Sequence, residues 1–148
     1  MSSTFLSLHY HLVFSTKQRE PFIDAPLRPH LHEYLGGTVN GLGARSETVG
    51  GTSDHVHLLV ELKATHTLSD FMRELKKASS VWIHKESPLT TFAWQEGYAA
   101  FTVSASVLPE VRRYIETQEE HHRQRSFREE LKILLQKSGV EFEERYLD

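Results

Sequence analysis

Apolar residues fall on every second position from Leu6 through Leu8, Tyr10 and Leu12 to Phe14, with Ser7, His9, His11 and Ser15 between them. A period of two is the mark of a strand with one buried face, so residues 5–16 are predicted as the first strand. The period then lengthens. Asp24 and Pro26 open a helix carrying Leu27, Leu31 and Leu35 at four-residue steps, and Gly36, Gly37, Gly41 and Gly43 are expected to fray its end. Residues 44–50 and 54–63 read as two further strands. Thr67 stands as the cap of a second helix with Leu68, Phe71, Met72, Leu75 and Trp82 on its apolar stripe. Residues 98–105 read as a fourth strand, and Pro109 opens a helix predicted to run unbroken to about Arg123. A last helix over residues 127–137 bears Leu131, Leu134 and Leu135 and stops at Gly139.

The order β-α-β-β-α-β followed by two helices is that of an α+β, ferredoxin-like (split βαβ) fold: a four-stranded antiparallel sheet with two helices on one face and additional C-terminal helices. The chain is expected to form one domain over residues 1–148, its C-terminal helical segment covering about 109–148. The first and third strands would lie in the middle of the sheet. The face without helices is the expected place for a site that opens outward, so that changes there should leave folding intact.

Against this frame one stretch stands out, Asp54-His55-Val56-His57-Leu58-Leu59-Val60. On a strand it turns His55 and His57 to one face and Val56, Leu58 and Val60 to the other. Two imidazoles fixed side by side are half of a metal site. Spacing alone is weak evidence, because His9 and His11 repeat it on the first strand. The turn Gly50-Gly51-Thr52-Ser53-Asp54 distinguishes the second pair, since glycines there would let a substrate come close. His11 is then expected to orient a ligand from behind. Tyr114 and Gln118, four apart on a predicted helix, would stack on one face and add a hydroxyl and an amide oxygen. Glu61, on the same strand face as the histidines, is the runner-up ligand.

Composition narrows the chemistry. The chain has 148 residues, a net charge of −3, 39% hydrophobic and 25% charged residues, and no cysteine, which excludes thiolate zinc sites and a cysteine nucleophile. It carries neither an apolar run of membrane-spanning length nor a basic secretory start, so no membrane partner is expected and a cytoplasmic protein is the default. The net charge argues mildly against nucleic acid, but its distribution matters more than its sum. Lys17, Arg19, Arg73, Lys76, Lys77, Arg112, Arg113 and Arg123 are the basic side chains expected to meet phosphates, with Arg125 and Arg128 in the same stretch.

Several motifs in order carry a resemblance over nearly the whole chain: His11-Leu12-Val13-Phe14-Ser15-Thr16-Lys17, the Asp54–Val60 stretch, Ser79-Ser80-Val81-Trp82-Ile83-His84, Trp94-Gln95-Glu96-Gly97-Tyr98, Tyr114-Ile115-Glu116-Thr117-Gln118 with His121-His122, and Ser126-Phe127-Arg128-Glu129-Glu130-Leu131. The chain resembles the single-tyrosine HUH transposases of small bacterial insertion sequences and their relatives associated with repetitive palindromes. The resemblance implies that His55, His57 and Gln118 hold a divalent metal, magnesium or manganese, and that Tyr114 is the nucleophile. It implies single-stranded, hairpin-marked DNA as substrate, a 5′-phosphotyrosine intermediate with a free 3′ hydroxyl, and a homodimer in which the tyrosine helix often serves the partner's site. Two other readings remain at this level, a domesticated hairpin-binding regulator without catalysis and a replication initiator or relaxase.

Overall fold

The computed structural model describes residues 3–147. Its strands are β1 (His9–Ser15), β2 (Arg45–Gly51), β3 (His55–Glu61) and β4 (Ala99–Val103), all paired antiparallel in the order β2-β3-β1-β4. β1 and β3 are the central pair, as the element order predicts. Two helices, α1 (Arg28–Gly41) and α2 (Leu68–Glu86), cover one face. There Leu12 and Phe14 of β1 and Val56, Leu58 and Val60 of β3 pack against Leu31, Leu35, Val39, Phe71, Met72, Leu75 and Ile83 to form the apolar core.

α1 does not end at the first glycines. It runs through Gly36 and Gly37 to Gly41, because Leu31, Leu35 and Val39 form a fully buried stripe whose packing outweighs the ~1 kcal/mol cost of each helical glycine. Trp94, in the motif after α2, is structural: its ring meets Phe14 and Phe92 edge-on, and its indole N–H donates to the buried Ser79 Oγ at 2.9 Å.

The second sheet face is not open, which corrects the expectation of an outward site. It is covered by α3 (Leu108–Glu116), α4 (Gln118–His121) and α5 (Phe127–Lys137). The helix expected over 109–123 is broken at Thr117, whose backbone (φ −108°, ψ 27°) leaves the helical region. The Thr117 N–H still donates to the Arg113 carbonyl at 3.1 Å and its hydroxyl adds a second bond there at 2.9 Å, while the next carbonyl, that of Tyr114, accepts from the Gln118 side chain. α3 lies tight on β2. A Cβ built on Gly50 would stand 2.1 Å from the Ile115 carbonyl oxygen, so glycine there admits the α3 backbone itself, where a substrate had been expected.

Candidate active site

His55 and His57 leave β3 on the helix-covered face and are both 0% exposed. Each is oriented from behind. His55 Nδ1 lies 2.7 Å from Asp54 Oδ1 and 3.2 Å from the Thr52 hydroxyl, and His57 Nδ1 lies 2.7 Å from His11 Nε2. A carboxylate accepts only, so a neutral His55 carries its proton on Nδ1 and turns the Nε2 lone pair inward. His11 and His57 are stacked with ring centroids 5.0 Å apart, and burial before any other cause lowers their pKa values to about 3 and about 4. Both are therefore neutral near pH 7. His11 thus stands directly behind His57.

α3 and α4 deliver the other expected members. Despite the break between them, Tyr114 and Gln118 remain stacked: the Gln118 amide N–H donates back to the Tyr114 carbonyl at 3.4 Å. That bond fixes the amide so that Oε1 faces inward, 3.1 Å from His55 Nε2 and 3.2 Å from His122 Nε2. The Tyr114 ring stands edge-on to His57 and His11. The structure thus brings His55, His57, Tyr114 and Gln118 into one cluster within a single chain.

The residue at its centre was not singled out from sequence. Glu130, 3% exposed on α5, places Oε1 3.0 Å from His57 Nε2, 3.0 Å from His122 Nε2 and 3.5 Å from His55 Nε2. Its second oxygen, Oε2, accepts the Tyr114 hydroxyl hydrogen bond. Burial alone would raise this carboxyl, but hydrogen bonds from His122 and His57 outweigh it and hold Glu130 well below the usual carboxylate range. Burial, and then the Glu130 charge, pushes the Tyr114 hydroxyl above the ordinary phenol range. Burial would lower His122, but its bond to Glu130 raises it on balance. α5 is held over the site by its Ser126 cap, whose Oγ accepts from the Glu129 N–H, and by Phe127 stacked on His55 at 4.3 Å. One signal for Glu130 was present: it interrupts the apolar stripe of Phe127, Leu131, Leu134 and Leu135 with a carboxylate, which a buried helix face tolerates only against partners.

The donor set fits a cation. His55, His122 and Glu130 offer ligand atoms within 4.8 Å of one another, and the inward Gln118 Oε1 and His57 Nε2 join them. Donors bound to one ion at ~2.0–2.2 Å sit ~3 Å apart at right angles, close to the separations above. Glu61 is not among them; it ends β3 beside His9 at 3.5 Å and Arg45 at 3.2 Å.

The eight expected basic residues are not gathered in one patch. Arg73, Lys76 and Lys77 lie on α2, across the sheet from the histidines, and Lys17 and Arg19 follow β1. Arg73 pairs with Asp70 at 3.0 Å, and Arg112 with Glu47 at 2.8 Å. Lys76 donates to the carbonyls of Gln95, Glu96 and Gly97, and burial lowers its pKa to about 8. Arg113 and Arg123 are exposed on the helical side. Arg125, with Tyr114, Glu120, His121, His122, Gln124 and Glu130, lines a cleft of about 430 Å³ that reaches the buried cluster.

Comparisons with known proteins identify the family. Residues 4–118 match the family of IS200-like transposases. The ISDra2 transposase TnpA of Deinococcus radiodurans is 28% identical over 117 residues, spanning 75% of this chain and 84% of its own. A Deinococcus radiodurans R1 protein described as a transposase, solved at 1.90 Å, superposes with a TM-score of 0.60 at 26% identity, covering 80% of this chain and 96% of its own. A REP-associated tyrosine transposase bound to a REP hairpin shares the fold, with a TM-score of 0.50 at 14% identity over 78% of this chain and 68% of its own. The match sets aside the replication-initiator reading: the chain belongs to the IS200-like transposases, enzymes that move DNA strands and depend in general on a divalent metal.

Proposed function

We propose that this transposase cuts and rejoins single-stranded DNA with Tyr114 as nucleophile and with His55, His57 and Gln118 holding the metal. The observation that carries the reading is the convergence of His55 Nε2 and Gln118 Oε1, 3.1 Å apart, with the Tyr114 hydroxyl on the same buried Glu130 carboxylate. Magnesium or manganese is the ion, imidazole donors favouring manganese of the two. Bound there, it supplies Lewis-acid stabilisation of charge on the transferring phosphate and its leaving oxygen.

The protein's own residues do the rest. Tyr114 Oη attacks the phosphorus, the bond to the 3′ oxygen breaks, and the 5′ phosphate stays on the tyrosine. Net, the hydroxyl proton passes from Tyr114 to the departing 3′ oxygen. A 3′ hydroxyl then attacks the phosphotyrosine, which re-forms a phosphodiester and frees Tyr114, so bond energy is conserved without ATP. Arg125 meets the phosphate in the cleft as the DNA enters. Lys17, Arg19, Arg73, Lys76, Lys77, Arg112, Arg113 and Arg123 serve the flanking backbone to the degree that their protein partners release them, and binding weakens with salt.

The substrate is a hairpin-marked single strand, in keeping with the hairpin in the REP-associated neighbour. The homodimer implied by the family joins two chains, each with a nucleophile beside its own ligand cluster, and light scattering checks it. No helix among the described residues is long and apolar enough to cross a membrane. The protein works in the cytoplasm on the DNA there.

The test uses end-labelled single strands copied from the DNA on both sides of the gene, incubated with the protein and Mn²⁺ or Mg²⁺. Metal-dependent cleavage should leave a free 3′ hydroxyl and a protein-blocked 5′ end, and Tyr114→Phe and His55→Ala should abolish it. Hairpin binding without cleavage by the unaltered chain would instead mark a regulator.

A further inference from the structure

Glu130 lies beyond residues 4–118, which match the family, and although the Ser126–Leu131 motif contains it, nothing in the Tyr114-to-Gln118 motif calls for it. Its position is nonetheless the most constrained in the site. His55 Nδ1 faces the Asp54 carboxylate and must donate, so neutral His55 presents a lone pair at Nε2. That lone pair faces Gln118 Oε1 at 3.1 Å, whose own amide nitrogen is turned back onto the Tyr114 carbonyl, and Glu130 Oε1 at 3.5 Å. Three atoms with lone pairs therefore converge at the inner end of the Arg125 cleft, and His57 Nε2 and His122 Nε2 each stand 3.0 Å from the same Glu130 oxygen. A cation among them would be met by every one of these donors, and Glu130 supplies the only negative charge in that set. The same carboxylate has a second task, since its other oxygen accepts the Tyr114 hydroxyl.

We infer that Glu130 is a ligand of the site's divalent ion through Oε1 and, through Oε2, the group that holds the Tyr114 hydroxyl beside that ion. The inference rests on the proposed reading of His55, His57 and Gln118 as ligands. It gives α5 a catalytic part: this helix, capped at Ser126 and seated on His55 by Phe127, ties the nucleophile of one chain to the ion of the same chain. It also accounts for a carboxylate in the buried stripe of α5.

The experiment is a Mn²⁺ titration of the full chain, read from the electron paramagnetic resonance signal of free Mn²⁺, with circular dichroism confirming that each variant is folded. Glu130→Gln keeps the shape and an oxygen but removes the charge. It should weaken Mn²⁺ binding by about tenfold or more, the scale on which groups supporting a metal act. Glu130→Asp keeps the charge on a shorter arm and should fall between the two. Tyr114→Phe should bind Mn²⁺ as the unaltered chain does, and His55→Ala should bind it scarcely at all. In saturating Mn²⁺, Glu130→Gln should still cleave slowly, because Tyr114 has lost its acceptor. Unchanged or tighter Mn²⁺ binding by Glu130→Gln, with His55→Ala impaired, overturns the role of Glu130 alone and makes it a competitor for the cation's position. Unchanged binding by His55→Ala overturns the ligand set itself and this inference with it.

Discussion

The two faces of β3 are buried to the same degree and held by opposite physics. Val56, Leu58 and Val60 meet the apolar side chains of α1 and α2, where contact is non-directional and one aliphatic group can substitute for another of similar volume. His55 and His57, one residue away on each side, meet Asp54, His11, Gln118 and Glu130 through individual bonds at 2.7–3.1 Å. The first face needs only bulk. The second needs each partner in place, because a buried polar group without one costs more than the bond is worth. The lesson is that burial does not separate core from site here; the chemistry of what is buried does.

Substitutions at neighbouring positions break the comparison cleanly, and the largest effect falls on the apolar face. Leu58→Ala should cost about 2–5 kcal/mol in chemical denaturation, through lost burial and a residual cavity. Cleavage should be retained at temperatures where the variant stays folded. His57→Ala should cost about 1–3 kcal/mol, since His11 and Glu130 each lose a partner, and should abolish cleavage at every temperature. A His57→Ala chain that cleaves normally would mean that the polar face is mere packing. Gly50→Ala sharpens the contrast from a third direction. The new methyl meets the Ile115 carbonyl oxygen, so α3 must shift, at a cost of about 1–3 kcal/mol. Cleavage should fall with it, because Tyr114 rides on α3.

The smallest effect is one of pH, and it separates the faces because only one of them titrates. The pKa values of His11 and His57 are lowered to about 3 and about 4, in each case chiefly by burial. Between the ordinary histidine value and these, the unfolded chain binds more protons than the folded one, so stability declines as pH falls from ~6.5 toward 4. Glu130, held well below the usual carboxylate range, adds to the same loss at the acid end. His122 is raised and works the other way, contributing stability at low pH that is lost as pH rises through its folded value. Three groups against one leave a net loss on acidification, measurable as a falling denaturation midpoint from pH 7 to pH 4.5. The apolar face contributes no slope of its own.

This difference also explains what could be read from the chain. The sheet order followed from periodicity, because Leu12, Phe14, Val56, Leu58 and Val60 declare their face by alternation. His55, His57, Tyr114 and Gln118 were legible as two half-sites joined by a resemblance, and the fold brings the halves together. Three features were not legible. The cover of α3 to α5 over the second face depends on packing between distant segments, so a site expected to open outward is buried. The break at Thr117 goes with local side-chain bonds to the Arg113 and Tyr114 carbonyls. Glu130 stands 73 residues from the His57 ring it touches. The Ser126–Leu131 motif contained it without marking it, and its place within the stripe of α5 hinted that a carboxylate was being buried for a reason.

The central claim, that one chain's polar sheet face is the active site and Tyr114 its nucleophile, is tested most directly by finding the residue that carries the DNA. The unaltered chain is incubated with Mn²⁺ and single strands from the DNA flanking the gene, and the denaturation-resistant adduct is digested and sequenced by mass spectrometry. The account predicts a 5′-phosphorylated nucleotide on Tyr114 and no adduct from Tyr114→Phe. An adduct on any other residue, or one that persists undiminished in Tyr114→Phe, would contradict it.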